Sequence, residues 1–198
     1  AIAEAMLAAR FNTAKRKIID HYTYCLAGDG CLMEGVSAEA SSLAGHLALS
    51  KLVLFYDSNK ITIDGSTELA FSEDVGARYE AYGWKVLRGD MYDFDGLARL
   101  LAEAKADTSK PKLVILKSVI GKGSPNKQGS SGVHGSPLGP EELALTKANL
   151  GIPADAKFWV APGVYDYFKG HQQAQAAAYA AWRAEFAAWR AEEPALAA

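Results

Sequence analysis

Asp29 stands between Gly28 and Gly30 in the run AGDGCLMEGVSAEASSLAGH, where an apolar strand ends and a helical pattern begins. A packed core has no use for a carboxylate there, whereas a bound cation or phosphate does. Asn59 follows a second apolar strand in the run YDSNKITIDG. A hard cation such as Mg²⁺ takes oxygen ligands, few of them from protein and the rest from phosphates and water. Asp29 offers a carboxylate oxygen and Asn59 an amide oxygen. The carbonyl of Ile61, two residues beyond Asn59, falls on the same side of an extended segment. Gly30 has no side chain to keep its N–H from a phosphate oxygen, and a helix starting near Glu34 points its positive end the same way. The pattern reads as a site for a diphosphate held through a divalent cation. A third polar feature is His134, in the loop GKGSPNKQGSSGVHGSPLG. Each feature alone has a plainer reading. An Asp between glycines is commonly a turn residue, a histidine in a glycine-rich loop is commonly solvated, and Glu34 and Glu39 suit the first turns of any helix.

The elements that must place these residues follow from apolar periodicity. The segments 21–27 (HYTYCLA), 51–57 (KLVLFYD), 84–89 (WKVLRG) and 111–119 (PKLVILKSV) read as strands. Near-continuous apolar runs of this kind belong to sheets covered on both faces. Helices are expected over 2–13, 34–49, 94–106 and 141–149, and over 72–82 with Ser72 as the cap and an acidic first turn. Alternating strands and helices predict a parallel, doubly wound α/β sheet. Ligands gather at the carboxyl ends of such strands, which is where Asp29, the Asp57-Ser58-Asn59 run and the His134 loop all fall. The tail from Pro162 is alanine-rich and carries Tyr179, Trp182, Phe186 and Trp189 at helical spacing, a stripe suited to packing. The expected division is residues 1–160 as the main domain and 161–198 as a helical extension.

Composition narrows the class. Of 198 residues, 49% are hydrophobic and 22% charged, with Lys+Arg 21 against Asp+Glu 23 and a net charge of −2. This balance gives no argument for nucleic acid or a membrane as partner. No apolar run approaches the roughly 20 residues of a spanning helix. The two cysteines, Cys25 and Cys31, form no CxxC pair and argue against zinc; Cys25 reads as a buried, reduced strand residue, and a cytoplasmic setting is the default. The chain opens at once in an apolar helix, AIAEAMLAARF, with neither Met nor cap, as expected of a start inside a longer protein.

The run GDGCLMEGVSAEASSLAGHLALSKLVLFYDSNKITIDG resembles the diphosphate-binding core of transketolase, a thiamine-diphosphate enzyme. So do RYEAYGWKV, IGKGSPNKQGSSGVHGSPLG and ELALTKANLG, in order from about Tyr22 to Gly151. The resemblance implies the thiamine-diphosphate-binding fold, with Asp29, Asn59 and the Ile61 carbonyl holding Mg²⁺ or Ca²⁺. Gly28 and Gly30 would then lie at the diphosphate, and Ile63 and Ile120 would be apolar contacts to the cofactor. Glu34 would also belong to the cofactor site. With Glu39, it matches acidic residues near a dimer interface, in a hydrogen-bonded chain between two active sites. His134 matches a histidine beside the reaction centre. The sequence departs from the family in Ser130-Ser131-Gly132, where a Thr-His pair is usual, in Ser136 for a common alanine, and in Ser58 for a second Asp or Asn. None of these removes a proposed ligand.

The activity implied is transfer of a two-carbon ketol unit from a ketose phosphate to an aldose phosphate, as in the pentose phosphate pathway. In the family, a glutamate on a separate pyrimidine-binding domain, normally from the partner subunit of a homodimer, activates the cofactor. That domain and the C-terminal domain are not in this sequence, so the chain alone is expected to be inactive. Two rivals are a non-catalytic diphosphate-binding module and a related synthase such as 1-deoxyxylulose-5-phosphate synthase; the loop around His134 favours transketolase.

Overall fold

The computed structural model describes residues 1–198. The chain divides into two compact units, one built from residues 22–154 and the other from residues 2–21 with 155–198. In chain order the elements are α1 (Ile2–Phe11), β1 (Thr23–Gly28), α2 (Asp29–Met33), α3 (Gly35–His46), β2 (Leu52–Ser58), α4 (Val75–Ala81), β3 (Lys85–Asp90), α5 (Phe94–Ala106), β4 (Lys112–Lys117), α6 (Pro140–Asn149), α7 (Val164–Glu192) and α8 (Pro194–Ala197).

The first unit is the expected parallel α/β sheet, with strand order β1-β2-β4-β3 and every pair parallel. Successive side chains of a strand point to opposite faces, and the strands use both faces. Leu54, Tyr56 and Leu113 point into one core with Leu32, Ala44, Tyr79 and Trp84, contributed by α2, α3, α4 and the start of β3's approach. Val53, Val114, Leu87 and Leu116 point into the other, against Leu97, Leu100 and Ala104 of α5. The first core is fixed by polar contacts as well. The Trp84 indole donates to the Ser41 carbonyl at 2.8 Å, and the Ser41 hydroxyl donates to the Tyr79 hydroxyl at 3.0 Å. The small-residue face of α3 has a physical use here, since a Cβ built on Gly45 would lie 1.7 Å from the carbonyl oxygen of Tyr82.

Several boundaries differ from the sequence reading. The helix expected over 34–49 is α3, ending at His46 and preceded by the separate five-residue α2 that begins at Asp29 itself. Asp74, not Ser72, caps α4, its carboxylate accepting from the Ala77 N–H at 3.1 Å. Cys25 is exposed, as are Tyr24 and Leu26. The reason is that β1 is an edge strand, paired only with β2. Both cysteines are free thiols.

In the second unit the aromatic stripe of α7 stacks on itself, with ring centroids 6.1, 5.2 and 5.6 Å apart from Tyr179 through Trp182 and Phe186 to Trp189. Its two indoles hold the N-terminal segment: Trp182 donates to the Ile18 carbonyl at 3.0 Å and Trp189 to the Phe11 carbonyl at 2.9 Å. Arg16 pairs with Glu185 and Glu192, each at 2.8 Å. No helix is long and apolar enough to cross a membrane.

Candidate functional site at the strand tips

Parallel pairing sets Gly28 beside Asp57 and Ser58 beside Lys117, so the chain leaves β1, β2 and β4 at one edge. There the backbone turns after β2. Lys60 has a left-handed φ of 66°, and the consecutive N–H groups of Asn59 and Lys60 both donate to Oδ2 of Asp29, at 3.0 and 2.9 Å. The Tyr56 hydroxyl donates to Oδ1 of Asp29 at 2.5 Å. Asp29 is 1% exposed, and burial together with the Asp29 carboxylate pushes the Tyr56 phenol well above its usual pKa, which keeps it a neutral donor. A carboxylate has about four lone-pair positions. Oδ2 has filled its share with two N–H groups, while Oδ1 has one direction left.

Asn59 is ordered by its neighbours. Its Oδ1 accepts from the Ile61 N–H at 2.9 Å, and its Nδ2 donates to Oδ1 of Asp57 at 3.4 Å. The same Asp57 oxygen accepts from the Ser118 hydroxyl just past β4. The isolated bridge between Ile61 and Ser66 is flanked by bonds to the carbonyls of Lys60 and Gly65, which leaves the Ile61 carbonyl outside that ladder. Asp29 and Asn59 thus lie at one edge of the sheet, with the Ile61 N–H bonded to the Asn59 amide oxygen. No cluster of three or more His, Cys, Asp or Glu side chains capable of holding a metal is present. Neither Gly28 nor Gly30 has a positive φ, and a Cβ on either would meet no atom within 4 Å. The fold itself does not call for glycine at these positions, and the space beside Asp29 is open.

The other expected residues are placed differently. Ile63 is 71% exposed, and Ile120 is half-buried, its carbonyl accepting from the Gly129 N–H at 2.8 Å. Glu34 and Glu39 are exposed; Glu34 occupies the N-cap position of α3 with no side-chain capping bond, its carbonyl accepting from Ser37. His134 is exposed, at the end of a short turn over Ser131–Val133, its N–H donating to the Ser131 carbonyl at 2.9 Å. Its loop is tied to α6. Glu142 accepts from the Ser124 hydroxyl, from the Asn126 N–H at 2.9 Å and from the Asn126 side chain at 2.9 Å. Asn149 donates to the Gly123 carbonyl at 2.9 Å. The Ser124 hydroxyl, then Asn126, hold the Glu142 carboxyl below the usual carboxylate range. Nothing in the sequence marks Tyr56, Ser118 or Glu142 as part of this arrangement. The first reads as a core residue of an apolar strand, the second as a strand end and the third as a first-turn helix acid.

The sequence profile described as "Transketolase, thiamine diphosphate binding domain" matches residues 1–198. The chain belongs to the transketolase family. It is 57% identical over 162 residues to the transketolase of Treponema pallidum, covering 82% of this chain and 24% of that protein. It is 48% identical over 200 residues to the transketolase of Geobacillus stearothermophilus, covering 100% of this chain and 30% of the relative. The solved transketolase from Leishmania mexicana superposes with a TM-score of 0.94 at 48% identity, over 98% of this chain and 29% of that one. The chain thus spans less than a third of the transketolases it matches. A Pichia stipitis transketolase of the same TM-score, 45% identical over 98% of this chain and 29% of its own, was solved with sedoheptulose 7-phosphate.

Proposed function

We propose that this chain is the cation- and diphosphate-binding part of a transketolase, and that Asp29, Asn59 and the Ile61 carbonyl hold Mg²⁺ or Ca²⁺ against the diphosphate of thiamine diphosphate. The observation that carries the reading is the contact of Asp29 with the Asn59 and Lys60 N–H groups, which brings two strand tips to one oxygen-lined spot. When bound, thiamine diphosphate supplies the nucleophilic carbon that takes up and releases a two-carbon unit. The protein's own residues bind and orient. Gly28 and Gly30 leave room for the diphosphate oxygens. Ile63 and Ile120 offer apolar surface. His134 donates a hydrogen bond or carries a proton near the reacting sugar, as an imidazole does near neutral pH.

On this reading the substrates are a ketose phosphate and an aldose phosphate of the pentose phosphate pathway. The pyrimidine-binding and C-terminal domains come from polypeptide outside these 198 residues. Residues 1–160 serve as the diphosphate-binding domain and 161–198 as its extension. Glu34 and Glu39 face a second subunit, a role in keeping with their exposure beside Val36, 71% exposed, and Leu43, 47% exposed. Two free thiols suit a cytoplasmic enzyme. Calorimetric titration tests the reading. Thiamine diphosphate should bind the chain only with Mg²⁺ or Ca²⁺ present, and Asp29→Ala should weaken that metal-dependent binding. Metal-independent binding, or native affinity in the variant, would refute it. Ketol transfer should be absent from the chain alone and appear on adding the remaining transketolase domains.

A further inference from the structure

The side-chain amide of Asn59 can face a cation in two ways, and only one works. Its oxygen is a ligand, while its NH₂ end carries partial positive charge and repels a metal. Two neighbours decide between them. The Ile61 N–H donates to the oxygen at 2.9 Å, and Asp57 accepts from the NH₂ group at 3.4 Å. In the reversed orientation the amide oxygen would face the Asp57 carboxylate and the NH₂ group would face an N–H, so both bonds would become repulsions. Asp57 is itself pinned, because the Ser118 hydroxyl donates to the same carboxylate oxygen from beyond β4. Asp57 also stands next to Tyr56, which holds Asp29 from the other face of the sheet. Two consecutive residues of β2 therefore each hold one of the two side-chain ligands.

We infer that Asp57, anchored by Ser118, is a positioning residue that turns the Asn59 amide so that its oxygen faces the divalent cation. The inference rests on the cation-site reading above. Partners of this kind commonly change metal affinity 10–100-fold when removed.

The test uses the whole 198-residue chain with thiamine diphosphate at fixed concentration, and Mn²⁺ as the probe, free Mn²⁺ being counted by electron paramagnetic resonance. Asp57→Ala should weaken Mn²⁺ binding about tenfold or more. Ser118→Ala leaves every charge in place and should weaken it severalfold. On an Asn59→Asp background Ser118→Ala should have no effect, since a carboxylate presents oxygen either way round. A merely structural role for Ser118 would give the same loss on both backgrounds, and that result overturns the inference, as does native affinity in Asp57→Ala. Asp29→Ala, run alongside, separates the two readings. Native affinity there, or no Mn²⁺ binding by the unchanged chain, removes the cation site itself. Loss in Asp29→Ala with native affinity in Asp57→Ala removes only the role of Asp57.

Discussion

Tyr56 and Asp29 meet hydroxyl to carboxylate at 2.5 Å, each about 1% exposed. A buried acceptor stripped of its donor keeps its desolvation cost, about 1–3 kcal/mol. Tyr56→Phe should therefore lower stability by about that amount, read as a shift in the midpoint of urea unfolding at unchanged slope. An unchanged midpoint would mean that water replaces the hydroxyl and that Asp29 is less enclosed than its surroundings indicate.

Gly45 offers a test of packing. Its helix lies so close to Tyr82 that an added methyl group would meet a backbone carbonyl, which has little freedom to move. Overpacking of this kind costs about 1–3 kcal/mol. Although alanine is the better helix former, Gly45→Ala should destabilise the first unit, and equilibrium unfolding checks it.

Glu142 should make the His134 loop sensitive to acid. Its folded pKa lies below that of a free carboxyl because it accepts from Ser124 and Asn126. The stabilisation is thus fully present above the unfolded carboxylate pKa and is lost as pH falls through the depressed folded value. Hydrogen exchange across residues 121–139 should quicken at that acid edge. In Glu142→Gln the loop should exchange faster already at neutral pH and show no acid step of its own.

Arg16 links residues 2–21 to α7 through two carboxylates, and its partner Glu192 is held below the usual carboxylate range chiefly by that bond. Arg16→Ala should loosen the segment around Trp182 and Trp189, visible in near-ultraviolet circular dichroism. The difference between variant and native chain should shrink in high salt, because exposed pairs are screened.

Much of the site was legible because it depends on topology. Once 21–27 and 51–57 are read as parallel neighbours, Asp29 and Asn59 must emerge at one edge, and they do. What holds them was harder to read. Tyr56 looks like any aromatic of an apolar strand, since nothing in its spacing announces where a hydroxyl points. Ser72 and Asp74 are both good caps a few residues apart, and local sequence does not rank them. Cys25 sits in a run indistinguishable from a central strand, because periodicity carries no information on whether a strand lies at an edge. Glu142 is a first-turn acid like many others until the fold brings Ser124 and Asn126 against it.

The alternation along β2 has one more consequence. Were that strand to slip by a single position against its neighbours, the phenol of Tyr56 would turn to the opposite face of the sheet and the carboxylate of Asp57 to the face the phenol now uses. Both ligand clamps would then be lost in one step, while an apolar run of this kind would still bury most of its side chains. Correct alignment of the sheet and assembly of the proposed cation site are therefore a single event, and an insertion or deletion within residues 52–58 should erase the proposed binding before it erases the fold.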